Sequence, residues 1–128
     1  MKKISDSYTE QVQIVLPEHT NGYGRLFGGT LISWIDIVAS VVARRHSGCN
    51  VTTVTVDNLV FKAPAHLNDT ILLCGQLVSV GNTSMQVKVE TFVEKLSGSR
   101  TLINTAYLKM VALDKDEKPT KVPGLLVP

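Results

Sequence analysis

At 128 residues the chain has room for one domain and one hydrophobic core. A composition of 44% hydrophobic and 19% charged residues is too apolar for disorder and ordinary for a globular domain. A net charge of +2 lacks the dense basic field that binds nucleic acid, and no window reaches the ~18 apolar residues of a membrane span.

The first ten residues carry two lysines with no apolar stretch behind them. They do not read as a signal peptide, so the expected location is the cytoplasm. Gln11 to Leu16 reads as a strand that Pro17 stops, followed by a polar, Gly-rich loop from Glu18 to Phe27. The one long helix runs from about Gly29 to His46. Leu31, Ile32, Trp34, Ile35, Val38, Val41 and Val42 occupy most of its circumference, which predicts a buried helix. Arg44, Arg45 and His46 crowd its last turn, where cations suit the dipole, and Gly48 fits the stop.

Everything after the helix reads as strands: Val51 to Phe61, Asp69 to Val80, Met85 to Val93 and Leu102 to Leu113. Pro64 to Asn68 and Ser97-Gly98-Ser99 supply turns, the second closing a hairpin. In the third of these strands Met85, Val87, Val89, Thr91 and Val93 share one face, opposite Gln86, Lys88 and Glu90. The charged segment from Asp114 to Pro128 reads as a tail that leaves the domain or packs back through Leu125 to Val127. One α+β domain over residues 1–128 is expected, with a core of about 8–113 and a tail of 114–128. A strand, one helix and four mostly antiparallel strands suit a sheet curved around that helix. The open side and edges of such a sheet need cover, so self-association is expected.

Between Gly28 and Ala43 the only charged residue is Asp36. Gly29, Ser33, Ser40 and Arg44 fall on its face at helical spacing, making a narrow polar stripe on a greasy cylinder. The plainer reading is a solvated face. The sharper one is catalysis, because Gly28-Gly29 opens the helix and leaves bare N–H groups at the positive end of the dipole. Such groups receive an oxyanion, although a Gly-rich turn needing unusual dihedrals would look the same. Phosphate-loop spacings and a GxSxG elbow are both missing. Cys49 and Cys74 match no metal or redox spacing, and Cys74 reads as a buried small hydrophobe. His19, His46 and His66 are scattered and read as loop or surface residues, so no metal site is expected.

The run from Leu16 to Gly48 resembles the acyl-CoA hydrolase branch of the hot-dog thioesterases. Thr20, Asn21, Gly24, Phe27, Gly28, Gly29 and Asp36 meet that family's pattern at its spacing. Asp57 to Pro64 (DNLVFKAP) and Val80 to Met85 (VGNTSM) lend support, and the resemblance spans roughly residues 8–113. Arg25 stands where many relatives carry an acidic residue, which bears on loop packing and ligand entry.

The resemblance implies a five-stranded antiparallel sheet wrapped around the helix. It also implies a dimer that extends the sheet, with dimers assembling into tetramers or hexamers. Active sites would lie between subunits, the matching Asp of one facing the matching Asn of the other. The implied activity is hydrolysis of fatty acyl-CoA to free acid and CoA, without a cofactor, nucleic acid or membrane. Asp36 would be general base or nucleophile, Asn21 would orient water or substrate, and the Gly29 amide, with Gly28, would polarise the carbonyl. Thr30 and Ser33 are candidates to line the site. Arg44, Arg45, Lys62 and Lys88 are candidates for the CoA phosphates, with Asn82, Thr83 and Ser84 near the pantetheine arm. His19 is placed to shape the entrance. Two rivals stand beside this reading. A hot-dog dehydratase or hydratase pairs a loop His with a helix acid, but His19 sits early for that. A non-catalytic acyl-CoA-binding module would keep the glycines and have no need of Asp36.

Overall fold

The computed structural model describes residues 2–126. Strand β1 (Thr9–Ile14) leads to helix α1 (Gly28–Ser47), which is followed by β2 (Asn50–Phe61), β3 (Thr70–Val80), β4 (Ser84–Glu94) and β5 (Arg100–Leu113). All pairings are antiparallel, and the five strands lie in the order β1-β3-β4-β5-β2. This is the hot-dog arrangement expected from the sequence, with each element within a few residues of its predicted place.

Two glycines fix how the helix meets the sheet. At Gly75 a Cβ atom would lie 2.6 Å from Val38 Cγ1 and 2.9 Å from Val42 Cγ2, so only glycine lets α1 settle this closely on β3. Gly48 ends the helix at φ 69°, a left-handed cap that a Cβ would strain, and its N–H reaches the Arg44 carbonyl. Leu31, Trp34, Ile35, Val38, Ala39, Val42 and Ala43 are buried against the alternating inward residues Val87, Val89, Ala106, Leu108 and Met110. Each large aliphatic side chain buried here contributes about 1.5–3 kcal/mol.

The helix is covered on one side only. Gly29, Ser33 and Arg44 are exposed, and Ile37 keeps 52% of its surface. An isolated protomer therefore leaves open the side of α1 that carries the polar stripe.

Beyond Leu113 the chain turns back and packs on the domain. Val122 is buried in the core, its N–H donates to the Asn82 carbonyl, and Leu125 packs against the core. Val127, the last residue of the packing segment anticipated from sequence, lies outside the described residues. His46 departs from its expected surface position and is fully buried. Its Nε2 donates to the Pro123 carbonyl at 2.8 Å, so the imidazole fastens the returning segment to the end of the helix. Cys74 departs the other way: it is half-buried on the outward face of β3 rather than in the core.

Candidate active site

The site begins at an uncapped helix start. Phe27 is the N-cap residue, and it offers no side-chain hydrogen bond. Leu31 is the first residue whose N–H reaches back into the helix, to the Phe27 carbonyl at 3.1 Å. The amides of Gly28, Gly29 and Thr30 precede that bond and have no intrahelical acceptor. Neither glycine lies at positive φ, so dihedral need does not account for them. At Gly29 a Cβ would meet the Phe27 ring at 2.8 Å, while at Gly28 it would meet nothing within 4 Å. The pair keeps the helix mouth bare and lets the half-exposed Phe27 ring lie against it.

Asp36 stands two turns further on, half-buried on the open side of α1. Its Oδ1 accepts a hydrogen bond from Thr53 Oγ1 at 2.5 Å. Thr53 sits on β2 where the register with β5 slips between Thr53 and Thr55, and irregularities of this kind re-aim side chains. Thr53 also approaches Met110 Sδ at 3.5 Å, so its hydroxyl is held between helix and sheet. Sequence reasoning missed Thr53. It is one of several threonines in a Val/Thr-rich strand, and nothing local distinguishes it from the others.

Asn21 lies at the tip of the loop before the helix. Its Oδ1 accepts from Tyr23 N at 2.9 Å and Arg25 N at 3.3 Å, so the side chain shapes its own turn. Gly24, at φ 71°, completes that turn. Arg25 and Leu26 pair with the segment after β2, through the bridge to His66 and the bond to the Ala65 carbonyl. Among the described residues no hydrogen bond joins Asn21 to Asp36 within the protomer, and Asn21 is exposed. His19 braces the loop from behind: its ring meets Trp34 edge-on at 4.9 Å, and its Nδ1 accepts from Leu16 N.

The remaining predicted site residues are spread over the protomer. Ser33 Oγ donates to the Thr30 carbonyl at 2.8 Å, beside the helix mouth. Arg44 is exposed about 22 Å along the helix from Gly29. Arg45 is committed to the N-terminal segment, donating to the Tyr8 carbonyl and to Thr9 Oγ1 at 3.0 Å each. Lys62 follows β2 at one end of the sheet, whereas Asn82, Thr83 and Ser84 turn from β3 to β4 at the other. Lys88 is on the outward face near Glu90, at 4.0 Å. One protomer thus gathers Gly28, Gly29, Thr30, Ser33, Asp36 and Thr53, and leaves Asn21 and the basic candidates apart.

The larger clefts of the protomer lie elsewhere. One of about 590 Å³ opens between residues 63–70 and the β4–β5 hairpin, and one of about 690 Å³ lies beside Tyr8 and Leu126. Asp36 and the helix mouth line neither, so the reactive groups are on an open surface. Among the described residues no group of three or more His, Cys, Asp or Glu could hold a metal ion. No helix is long and apolar enough to cross a membrane.

Residues 23–98 match the family model of the thioesterase superfamily. An uncharacterized acyl-CoA thioester hydrolase of Zymomonas mobilis is 39% identical over 113 residues, which cover 88% of this chain and 76% of that protein. The acyl-CoA thioester hydrolase YkhA of Bacillus subtilis is 40% identical over 113 residues, and there the match spans 66% of the relative's length. Among solved structures, an acyl-CoA hydrolase of Staphylococcus aureus bound to butyryl-CoA, CoA and CoA disulfide superposes with a TM-score of 0.95 at 33% identity. That match covers 98% of this chain and 77% of the other. A hexameric acyl-CoA thioesterase superposes at 0.94 and 35% identity, covering 100% of this chain and 84% of the other. The Staphylococcus aureus enzyme has also been solved with an asparagine, an aspartate or a threonine replaced by alanine. Those positions are 15 and 17 residues apart, the intervals from Asn21 to Asp36 and from Asp36 to Thr53. An open helix mouth, a tethered carboxylate and these likenesses agree: the chain belongs to the thioesterase superfamily, among its acyl-CoA thioester hydrolases, and is an enzyme of that class.

Proposed function

We propose that this enzyme hydrolyses fatty acyl-CoA at sites shared between two protomers, Asp36 of one working opposite Asn21 of the other. The observation that carries the reading is the pairing of bare amides at Gly28 and Gly29 with an Asp36 carboxylate tethered by Thr53. The thioester carbonyl oxygen would sit at the helix mouth, where N–H groups and the dipole stabilise the charge that develops on it. Acting as general base, Asp36 takes a proton from water, whose oxygen attacks the carbonyl carbon. Collapse of the tetrahedral intermediate breaks the C–S bond, and the departing CoA thiolate regains the proton from Asp36. Acting as nucleophile, Asp36 would form an anhydride that water then opens, with the same products. Thr53 contributes in either case, because its hydrogen bond holds one carboxylate oxygen and leaves the other for chemistry.

Exposure of Asn21 and of the open side of α1 supports the shared site: neither is complete within one chain. A partner covering Ser33 and Ile37 would bring its own Asn21 loop to the helix mouth and exclude water. Relatives that assemble as hexamers favour a hexamer of such pairs here. Arg44 and the Asn82–Ser84 turn are the proposed contacts for the CoA moiety, together with Lys62, each reaching a site from its own side of the interface. Water, a carboxylate and backbone amides suffice for a thioester, so the proposed reaction uses no resident cofactor, and the proposed setting is the cytoplasm.

Thiol release from acyl-CoAs of increasing chain length tests the activity, and inactivity across the series would overturn it. Mixing Asp36→Ala with Asn21→Ala protein tests the sharing. Randomly re-paired dimers should regain about a quarter of the wild-type rate, since half are mixed and each mixed dimer has one intact site. Recovery of nothing would place both residues in one subunit's site. Single turnover in heavy-oxygen water separates the two roles of Asp36, because label entering its carboxyl marks the anhydride.

A further inference from the structure

Strand β1 carries its apolar residues on the wrong side for a lone protomer. Thr9 and Val15 are buried toward the helix, and Gln11 and Gln13 are half-buried on that side. The alternate positions Val12, Ile14 and Leu16 face outward at 62%, 51% and 43% exposure. In the four other strands the buried positions are the apolar ones facing α1, so β1 alone inverts the pattern. The ridge does not stand in isolation. By register Val12 lies beside Leu72, Leu72 beside Phe92 and Phe92 beside Leu102, an apolar band across the outward face. Strand β1 pairs only with β3, so its other backbone edge is also without a neighbouring strand among the described residues.

Near the start of the same strand lies the groove of about 690 Å³, lined by Lys3, Ile4, Ser5, Tyr8, Gln76 and Leu126. Its tyrosine stays neutral: burial, with Cys74 and Glu10 beside it, pushes the phenol's ionisation up. A ridge and a groove offset along one face are what a heterologous contact needs, in which each copy offers its ridge to the next and the ring closes. The shared-site pairing uses the open side of α1 and the Asn21 loop, and it leaves this outward face free.

We infer that the outward face of β1 is the contact between pairs, the Val12–Ile14–Leu16 ridge of one protomer seating in the Ile4–Tyr8–Gln76–Leu126 groove of a second copy. The inference rests on the proposed pairing only in treating this contact as a second, separate one. Burying the band would remove the inverted strand's apolar surface from water and cover the free edge.

Light scattering during size-exclusion chromatography of the full chain tests it, on wild type, on the Val12→Glu/Ile14→Glu double variant and on Leu126→Glu. The expected result is a hexamer for wild type and dimers for both variants, with wild-type thiol release from a short acyl-CoA retained by the dimers. A hexameric double variant, or a wild type no larger than a dimer, overturns the inference. Dissociation by the ridge variant alone overturns the ridge-in-groove contact, the groove then being filled by the chain's own end. Should the double variant fail to fold by circular dichroism, Leu126→Glu decides, because its side chain is half-exposed at the groove. Particle size is read independently of turnover, so a chain without thioesterase activity would sink the proposed function and leave this test intact.

Discussion

The two ends of α1 are built on opposite principles. At the C-terminal end nearly every orphan carbonyl finds a partner. Gly48 N–H reaches the Arg44 carbonyl, and Lys2 Nζ reaches the carbonyls of Arg45 and His46 at 2.5 and 3.3 Å. His46 and Arg45 then tie the returning C-terminal segment and the N-terminal segment to the same turn. At the N-terminal end there is no side-chain cap, and two glycines keep the mouth clear. An N-cap side chain is worth about 1 kcal/mol, so its omission leaves stability unrealised where the reaction needs free donors. Satisfied helix ends hold the fold together, and the unsatisfied one is available to a ligand.

Substitutions at the two ends should therefore separate turnover from stability, and the largest effect is expected at Asp36. Asp36→Asn keeps an acceptor for Thr53 and should lower kcat by about 10²–10⁴ while the melting temperature holds. A variant that melts early instead would make Asp36 a structural residue. At the other end His46→Ala removes a buried ring and strands the Pro123 carbonyl. A loss on the order of 2 kcal/mol is expected, seen as a fall of about 5–10 °C in Tm, with kcat for the folded fraction unchanged. A drop in kcat at constant Tm would erase the contrast between the ends.

Thr53→Val sharpens the catalytic side. Losing one hydrogen bond to a carboxylate should cost about tenfold in kcat with KM little changed, and Thr53→Ser should restore it. Equal loss in Ser and Val variants would point to packing against Met110 instead. Lys2→Met is the smallest expected effect: about 0.5–1 kcal/mol in a denaturant titration, diminishing with salt, and none on turnover. Turnover that follows Lys2 would mean that the two ends of the helix communicate.

Much of this protein was legible in its sequence, because the deciding signals are local. Period-two alternation in Met85–Val93 and the run of apolar residues from Leu31 to Val42 specify strand and helix through their own spacing. The lone Asp36 and the Gly28-Gly29 pair stood out because their neighbours are so uniformly apolar. Positions whose meaning depends on a distant segment were not legible. His46 looks like a surface residue at a helix end until Pro123 returns to cover it. Thr53 resembles every other threonine of β2 until the fold sets it against Asp36. Val12, Ile14 and Leu16 read as an ordinary core-facing alternation, and only the pairing with β3 turns them outward. By itself the sequence determined the elements, the uncapped helix mouth and the residues able to do chemistry there. Only the tertiary structure decided which polar groups find partners and which faces stay bare, since hydrogen bonding and burial are properties of what the rest of the chain brings alongside.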